Sequence, residues 1–86
     1  MEMVLKVKNS EGLHARPAGV LAKKAAEFQS TIQVSSNGLT KNAKSIMALM
    51  SLGLKKDQEF ILIVEGPDAE AARTAIATLV DNEFKA

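Results

Sequence analysis

The sequence predicts an α+β fold, an open two-layer sandwich in which a four-stranded antiparallel sheet carries three helices on one face. Two observations point to this class. Apolar residues alternate in short segments and recur at helical spacing in others, in the order βαββαβα. The connections between these segments are short, and Asn37-Gly38 is a strong hairpin signal because both residues tolerate positive φ.

The first half of the chain contains one strand, one helix and a hairpin. A half-buried strand is predicted over residues 3–8, and the chain turns over residues 9–12. A helix follows from Ala15 to about Glu27 and a hairpin over residues 31–35 and 39–43, with Ile32 and Val34 facing the core. The apolar side of the helix consists of Ala18, Leu21, Ala22, Ala25 and Phe28.

The second half supplies a short helix, a strand and a long helix. The short helix begins at Ser45 and stops before Gly53. The strand over residues 59–65 is apolar on both faces, and its sequence leaves open which face contacts the helices. Asp68 is expected to cap the last helix. The apolar side of that helix consists of Ala72, Ala75, Ile76, Leu79, Val80 and Phe84.

Composition narrows the possible functions. The 86 residues suit a single domain, residues 1–86, and the absence of cysteine excludes disulfides and thiol nucleophiles. One histidine argues against a zinc site. The sequence contains neither a signal peptide pattern nor an apolar run that could cross a bilayer, so we expect a cytoplasmic protein without membrane insertion. A net charge of +1 and only three aromatic residues, all Phe, argue against a nucleic-acid partner.

Charge is unevenly distributed along the chain. Residues 1–56 carry nine basic and three acidic side chains, whereas residues 57–86 carry two basic and seven acidic ones. This asymmetry is typical of ordinary solvated faces, but it also fits a positive face that steers acidic partners toward the protein. The sequence leaves both interpretations open.

The segment from Glu11 to Gly19 holds the only histidine, His14, just before a predicted helix start. Pro17 suits the first turn of that helix, whose unpaired backbone N–H groups, beginning with Ala15, would meet an anion attached to the ring. The guanidinium of Arg16 can add a charged fork to the same anion. An exposed or capping role is commoner for a lone histidine, yet this combination favours transient phosphorylation of the imidazole.

Three segments together resemble a known family. Gly-Leu-His-Ala-Arg-Pro-Ala at 12–18, Ser-Asn-Gly at 36–38 and Lys-Ser-Ile-Met-Ala-Leu-Met-Ser-Leu-Gly at 44–53 closely resemble HPr, the histidine-containing phosphocarrier of the bacterial sugar phosphotransferase system. The resemblance implies the βαββαβα fold and a covalent phosphohistidine at Nδ1 of His14. It also implies a donor, Enzyme I charged from phosphoenolpyruvate, and sugar-specific IIA domains as acceptors. Such a protein is a stoichiometric carrier in sugar transport, not an enzyme, and needs no cofactor.

Ser45 is a second candidate site. On the sequence pattern it is first of all the N-cap of the short helix. The resemblance to Gram-positive HPr implies that a serine-directed HPr kinase/phosphorylase modifies it, which links the protein to carbon catabolite repression and a catabolite control repressor. A phosphate there is compatible with the cap and would weaken docking of the phosphoryl donor. A purely regulatory protein acting through Ser45 is the alternative, although it would leave His14 unexplained.

The short helix is apolar on every side, and a two-layer fold can bury only one stripe of it. If Leu49 and Leu52 enter the core, Ile46, Met47 and Met50 form an exposed patch for partners, with burial under a loop as the alternative. Val20 lies off the core stripe of its helix and is a further candidate for partner contact.

Two features lie outside these assignments. The doubly apolar strand over residues 59–65 leaves dimerisation possible, although a mostly monomeric protein is expected. Residues 82–86 match no motif and receive no active-site role. A small-ligand or RNA-binding α/β module is a third candidate function, which the scarcity of aromatic residues disfavours.

Overall fold

A computed structural model of the chain describes residues 1–85 and contains the seven predicted elements in the predicted order. The strands are β1 (Glu2–Lys6), β2 (Thr31–Ser36), β3 (Leu39–Asn42) and β4 (Glu59–Glu65). The helices are α1 (Ala15–Ala26), α2 (Ile46–Met50) and α3 (Ala69–Asp81). The predicted α+β class is therefore confirmed, with β1 and α2 each somewhat shorter than predicted.

The four strands form one antiparallel sheet in the order β1-β4-β2-β3. Strand β4 is one of the two central strands. It pairs with β1 on one side, where Phe60 lies opposite Leu5, and with β2 on the other, where Leu62 lies opposite Val34. Because β1 and β2 both run antiparallel to β4, they are parallel to each other. The chain between them, including α1, must therefore cross one face of the sheet.

The two faces of β4 differ in burial. Phe60, Leu62 and Val64 are buried against the helices, whereas Ile61 on the opposite face is exposed. Ile61 lies directly opposite Val4 of β1, which is also exposed. The structure thus decides the question that the sequence left open: the apolar set of even-numbered residues belongs to the core, and the other set lines the uncovered face.

One core fills the space between the sheet and the helices. Helix α1 contributes the predicted small residues and one leucine, Leu21, to this core, and α3 contributes Ile76 and Val80. No helix within residues 1–85 has the length and apolar character needed to cross a membrane. In the same range, no group of three or more His, Cys, Asp or Glu side chains could hold a metal ion.

Asp68 occupies the N-cap position of α3, but its side chain does not cap the helix. Its carboxylate instead accepts hydrogen bonds from the backbone N–H groups of Gln29 and Ser30, both at 2.9 Å, and from the Ser30 hydroxyl. The prediction that the Asp68 side chain caps α3 is therefore wrong, although the residue lies at the N-cap position. The carboxylate bonds to the chain before β2 because that segment presents three donors to it.

Phe84 is buried, as its apolar character predicts, but it does not lie on helix α3, which ends at Asp81. The chain closes the helix with a Schellman motif, in which the Phe84 N–H donates to Leu79 O at 2.9 Å and the Glu83 N–H donates to Val80 O at 3.0 Å. Glu83 and Phe84 both have positive φ. This turn inserts the aromatic ring into the core and leaves the Phe84 carbonyl close to α1.

Candidate functional site

The turn before α1 is tied down by its own backbone and by a neighbouring loop. The side-chain amide of Asn9 donates to Gly12 O at 2.8 Å, and the Leu13 N–H donates to Leu54 O at 2.9 Å. Gly12 has a φ of +70°, and a Cβ at this position would lie 2.5 Å from Leu54 O. Gly12 thus allows the Leu54 carbonyl to approach closely, and this contact fixes the backbone that leads into His14.

His14 is exposed and occupies the N-cap position of α1 with an extended backbone. Its side chain makes no capping hydrogen bond, and its carbonyl accepts the Ala18 N–H at 2.8 Å. The fold therefore uses the backbone of His14 and leaves its imidazole ring at the surface. An exposed ring nitrogen is the first requirement for a nucleophile that must reach groups on other proteins.

Two backbone N–H groups follow His14 without an internal acceptor. Among residues 1–85, no oxygen accepts a hydrogen bond from the N–H of Ala15 or Arg16. The next residue, Pro17, has no N–H and is buried in the first turn, so the predicted placement of this proline is confirmed. These two donors, together with the positive end of the helix dipole, can accommodate an anion beside the ring.

Arg16 is exposed and engaged by other groups. Its Nη2 lies 2.8 Å from Oε1 of Glu11, its Nε donates to Oε2 of the same carboxylate at 3.4 Å, and its Nη1 donates to Phe84 O at 3.4 Å. The hydrogen bond to this guanidinium lowers the pKa of Glu11, and the carboxylate in turn raises the pKa of Arg16. Glu11 and the Phe84 carbonyl therefore hold the guanidinium, and its role toward a phosphate on His14 stays a prediction.

Ser45 is the N-cap of α2, as predicted. Its Oγ accepts the Ala48 N–H at 3.2 Å, and the residue is half-buried. Helix α2 packs beside α1: the side chain of Ile46 ends 3.9 Å from the point where a Cβ on Gly19 would lie. A charge added at Ser45 would consequently arise beside the second turn of α1.

The predicted exposure of the α2 patch is confirmed. Met47 is 83% exposed, Ile46 and Met50 are also exposed, and Leu49 and Leu52 enter the core. Val20 is half-buried and lines a groove of about 600 Å³ between α1 and α3. It follows Gly19, the residue of α1 that the side chain of Ile46 approaches. Partner contact by these four residues stays a prediction.

Comparison with known proteins identifies the family. The sequence profile described as "PTS HPr component phosphorylation site" matches residues 1–82. The chain belongs to the HPr family of the phosphotransferase system. The phosphocarrier protein HPr of Treponema pallidum is 41% identical over 81 residues, which cover 94% of this chain and 92% of that protein.

Two further relatives agree with this assignment. A multiphosphoryl transfer protein of Vibrio cholerae is 43% identical over 79 residues, which cover 88% of this chain but only 20% of that longer protein. The crystal structure of HPr-C-His from Thermoanaerobacter tengcongensis superposes with a TM-score of 0.94 at 40% identity, over 98% of this chain and 94% of the other. This agreement in fold extends over the turn that carries His14.

Sequence reasoning missed two contacts of Arg16. The Glu11–Arg16 pair spans five residues, a spacing that brings side chains together in neither a helix nor a strand, so no periodicity predicts it. The contact with Phe84 O depends on the turn at the end of α3, and residues 82–86 carry no recognisable motif. The one available signal was the opposite charge of two residues that flank the same histidine.

Proposed function

We propose that residues 1–86 form one phosphocarrier domain in which His14 accepts a phosphoryl group from phospho-Enzyme I and passes it to sugar-specific IIA domains. The observation that carries this proposal is the exposed ring of His14, which makes no capping hydrogen bond, next to the N–H groups of Ala15 and Arg16. Membership in the HPr family supports the same reaction. The protein acts in the cytoplasm, mostly as a monomer.

The transfer needs little from the carrier beyond position and charge. The lone pair on Nδ1 of a neutral His14 ring attacks phosphorus, and the bond from phosphorus to the donor breaks with its electron pair returning to the donor. Transfer to the acceptor repeats the step with His14 as the leaving group. In such reactions placement and charge stabilisation supply most of the catalysis, so the two backbone donors and Arg16 suffice.

The stabilisation of the phosphate is limited. Ala15 and Arg16 offer two N–H groups, and Arg16 can add charged donors once its guanidinium turns from Glu11 toward the phosphate. The whole arrangement lies at the surface, where water weakens each charged contact. A phosphoryl group held in this way survives diffusion between proteins and still leaves readily for the next acceptor.

Partner contacts and regulation complete the proposal. The exposed patch of Ile46, Met47 and Met50 contacts Enzyme I and the IIA domains, and Val20, which lines the groove between α1 and α3, contributes to this docking. Phosphorylation of Ser45 by a serine-directed HPr kinase places negative charge beside this patch and weakens docking of the donor. The Ser45-phosphorylated form then binds a catabolite control repressor.

Incubation with phosphoenolpyruvate, Enzyme I and a sugar-specific IIA domain tests the carrier role. The wild-type protein should acquire one acid-labile phosphate and pass it to the IIA domain. The His14→Ala variant should acquire none while keeping the melting temperature of the wild type, because the ring makes no contact that α1 needs. Acid-labile labelling retained in His14→Ala would contradict the proposal.

A further inference from the structure

Arg16 forms an ion pair with Glu11. A phosphate on His14 would need the same guanidinium. The carboxylate meets the guanidinium at two points, Oε1 to Nη2 at 2.8 Å and Oε2 to Nε at 3.4 Å. The third nitrogen, Nη1, donates to Phe84 O at 3.4 Å. All three nitrogens of Arg16 are therefore directed at other groups in the unphosphorylated protein.

A guanidinium binds a carboxylate or a phosphate through the same planar fork. Glu11 uses the Nε–Nη2 edge of Arg16, and this edge can serve Glu11 or a phosphoryl group but not both at once. From this geometry we propose that Glu11 is a positioning residue, which holds Arg16 in the unphosphorylated protein and competes with the phosphoryl group for it. The inference rests on the proposed phosphorylation of His14.

The Glu11–Arg16 ion pair is weak enough for a phosphoryl group on His14 to displace Glu11 from Arg16. Both side chains are about half exposed, and exposed ion pairs of this kind shift an equilibrium only about two- to fivefold. A phosphoryl group brings more negative charge than a carboxylate and lies next to the same turn of chain. Arg16 therefore changes partners on phosphorylation and returns to Glu11 when the phosphoryl group leaves.

This exchange affects the direction of transfer. Re-forming the Glu11–Arg16 pair favours the unphosphorylated protein and so assists delivery to an acceptor. Glu11 lowers the stability of the phosphohistidine without touching phosphorus itself. The fold does not depend on the pair for the shape of the turn, because the Asn9–Gly12 and Leu13–Leu54 hydrogen bonds already hold the backbone.

The variant Glu11→Gln tests this role, since glutamine keeps the size of the side chain and removes the charge. Two quantities are measured: the equilibrium constant for phosphoryl exchange with phospho-Enzyme I, and the rate at which the isolated phosphohistidine hydrolyses. We expect the equilibrium to shift about two- to fivefold toward the phosphorylated carrier, and hydrolysis to slow by a similar factor. Glu27→Gln is the matched control, because it removes an exposed carboxylate from another ion pair, with Lys24 at 3.4 Å.

A second background separates competition from simple repulsion between charges. In Arg16→Ala protein, Glu11→Gln should change neither quantity, since the cation for which the groups compete is gone. The inference is overturned if Glu11→Gln leaves both quantities at wild-type values, if it has the same effect in the Arg16→Ala background, or if Glu27→Gln reproduces it. Failure of the wild-type protein to take phosphate on His14 would instead contradict the proposed function.

Discussion

Gly12 and His14 lie two residues apart in the sequence and have different structural roles. Gly12 is required by the backbone, because its positive φ and the nearby Leu54 carbonyl leave no room for a side chain. His14 contributes only its backbone to the helix start and presents its ring to solvent. The strict conformational requirement at Gly12 thus fixes the backbone that presents the His14 ring, which makes no capping contact of its own.

A glycine comparison tests this account of the turn. Gly53 has a similar φ of +63°, but no atom lies within 4 Å of the point that a Cβ would occupy. Gly53→Ala should therefore lower the free energy of unfolding by about 1–2 kcal/mol, from backbone strain alone. Gly12→Ala should cost about 1–3 kcal/mol more, because the added Cβ meets a backbone carbonyl that cannot rotate away. Urea unfolding measures both, and equal losses would contradict the close approach.

At the scale of elements, the five-residue helix α2 follows Ser45, which is its N-cap and the proposed regulatory site. So short a helix depends on its cap, which Ser45 provides through the Ala48 N–H. Ser45→Ala should lower the free energy of unfolding by about 1 kcal/mol. Ser45→Asp should retain the cap, because aspartate is also a good N-cap residue, and should slow phosphoryl transfer from Enzyme I by adding negative charge.

Asn37→Asp provides the matched control for that charge. Asn37 lies in the exposed hairpin turn with a φ of 53°, which aspartate tolerates, so the substitution adds the same charge away from α2. We expect its transfer rate to equal that of the wild type, and the slowing in Ser45→Asp to diminish as salt is raised. Equal slowing in the two variants would show that net charge, and not its position at α2, is responsible.

The elements were predictable from the sequence to different degrees. The faces of α1 and the hairpin turn at Asn37-Gly38 follow from local rules, and the structure confirms both. The end of α3 and the bonding of Asp68 were not predictable, since each depends on groups that the fold brings from elsewhere. The Glu11–Arg16 pair belongs to the same class. Periodicity thus predicts which residues are buried, whereas polar contacts between elements need the tertiary structure.

At the scale of the whole molecule, Asp68 links the start of α3 to the chain before β2. The Ser30 hydroxyl first, and then the Gln29 and Ser30 N–H groups, lower the pKa of Asp68 below its ordinary value of 3.8. The stabilising effect of this carboxylate is therefore present above about pH 4 and is lost as the pH falls through the lowered pKa of the folded state.

Acid titration of stability tests this link. Between about pH 5 and pH 2 the melting temperature of the wild type should fall, and Asp68→Asn should start lower and fall less steeply because the titrating carboxylate is absent. Asp57→Asn is the control, since the Asp57 side chain makes no hydrogen bond or ion pair with the described residues. Parallel curves for the wild type and Asp68→Asn would contradict the proposed link.

The central claim concerns the whole surface around His14: a phosphoryl group on Nδ1 lies against the N–H groups of Ala15 and Arg16. The most direct measurement is NMR of the protein before and after phosphorylation by phosphoenolpyruvate and Enzyme I. The account predicts a phosphorus coupling to Nδ1 of His14 and downfield shifts of the Ala15 and Arg16 amide protons. Phosphorus on another residue, or two amide protons that stay at their original shifts, would contradict it.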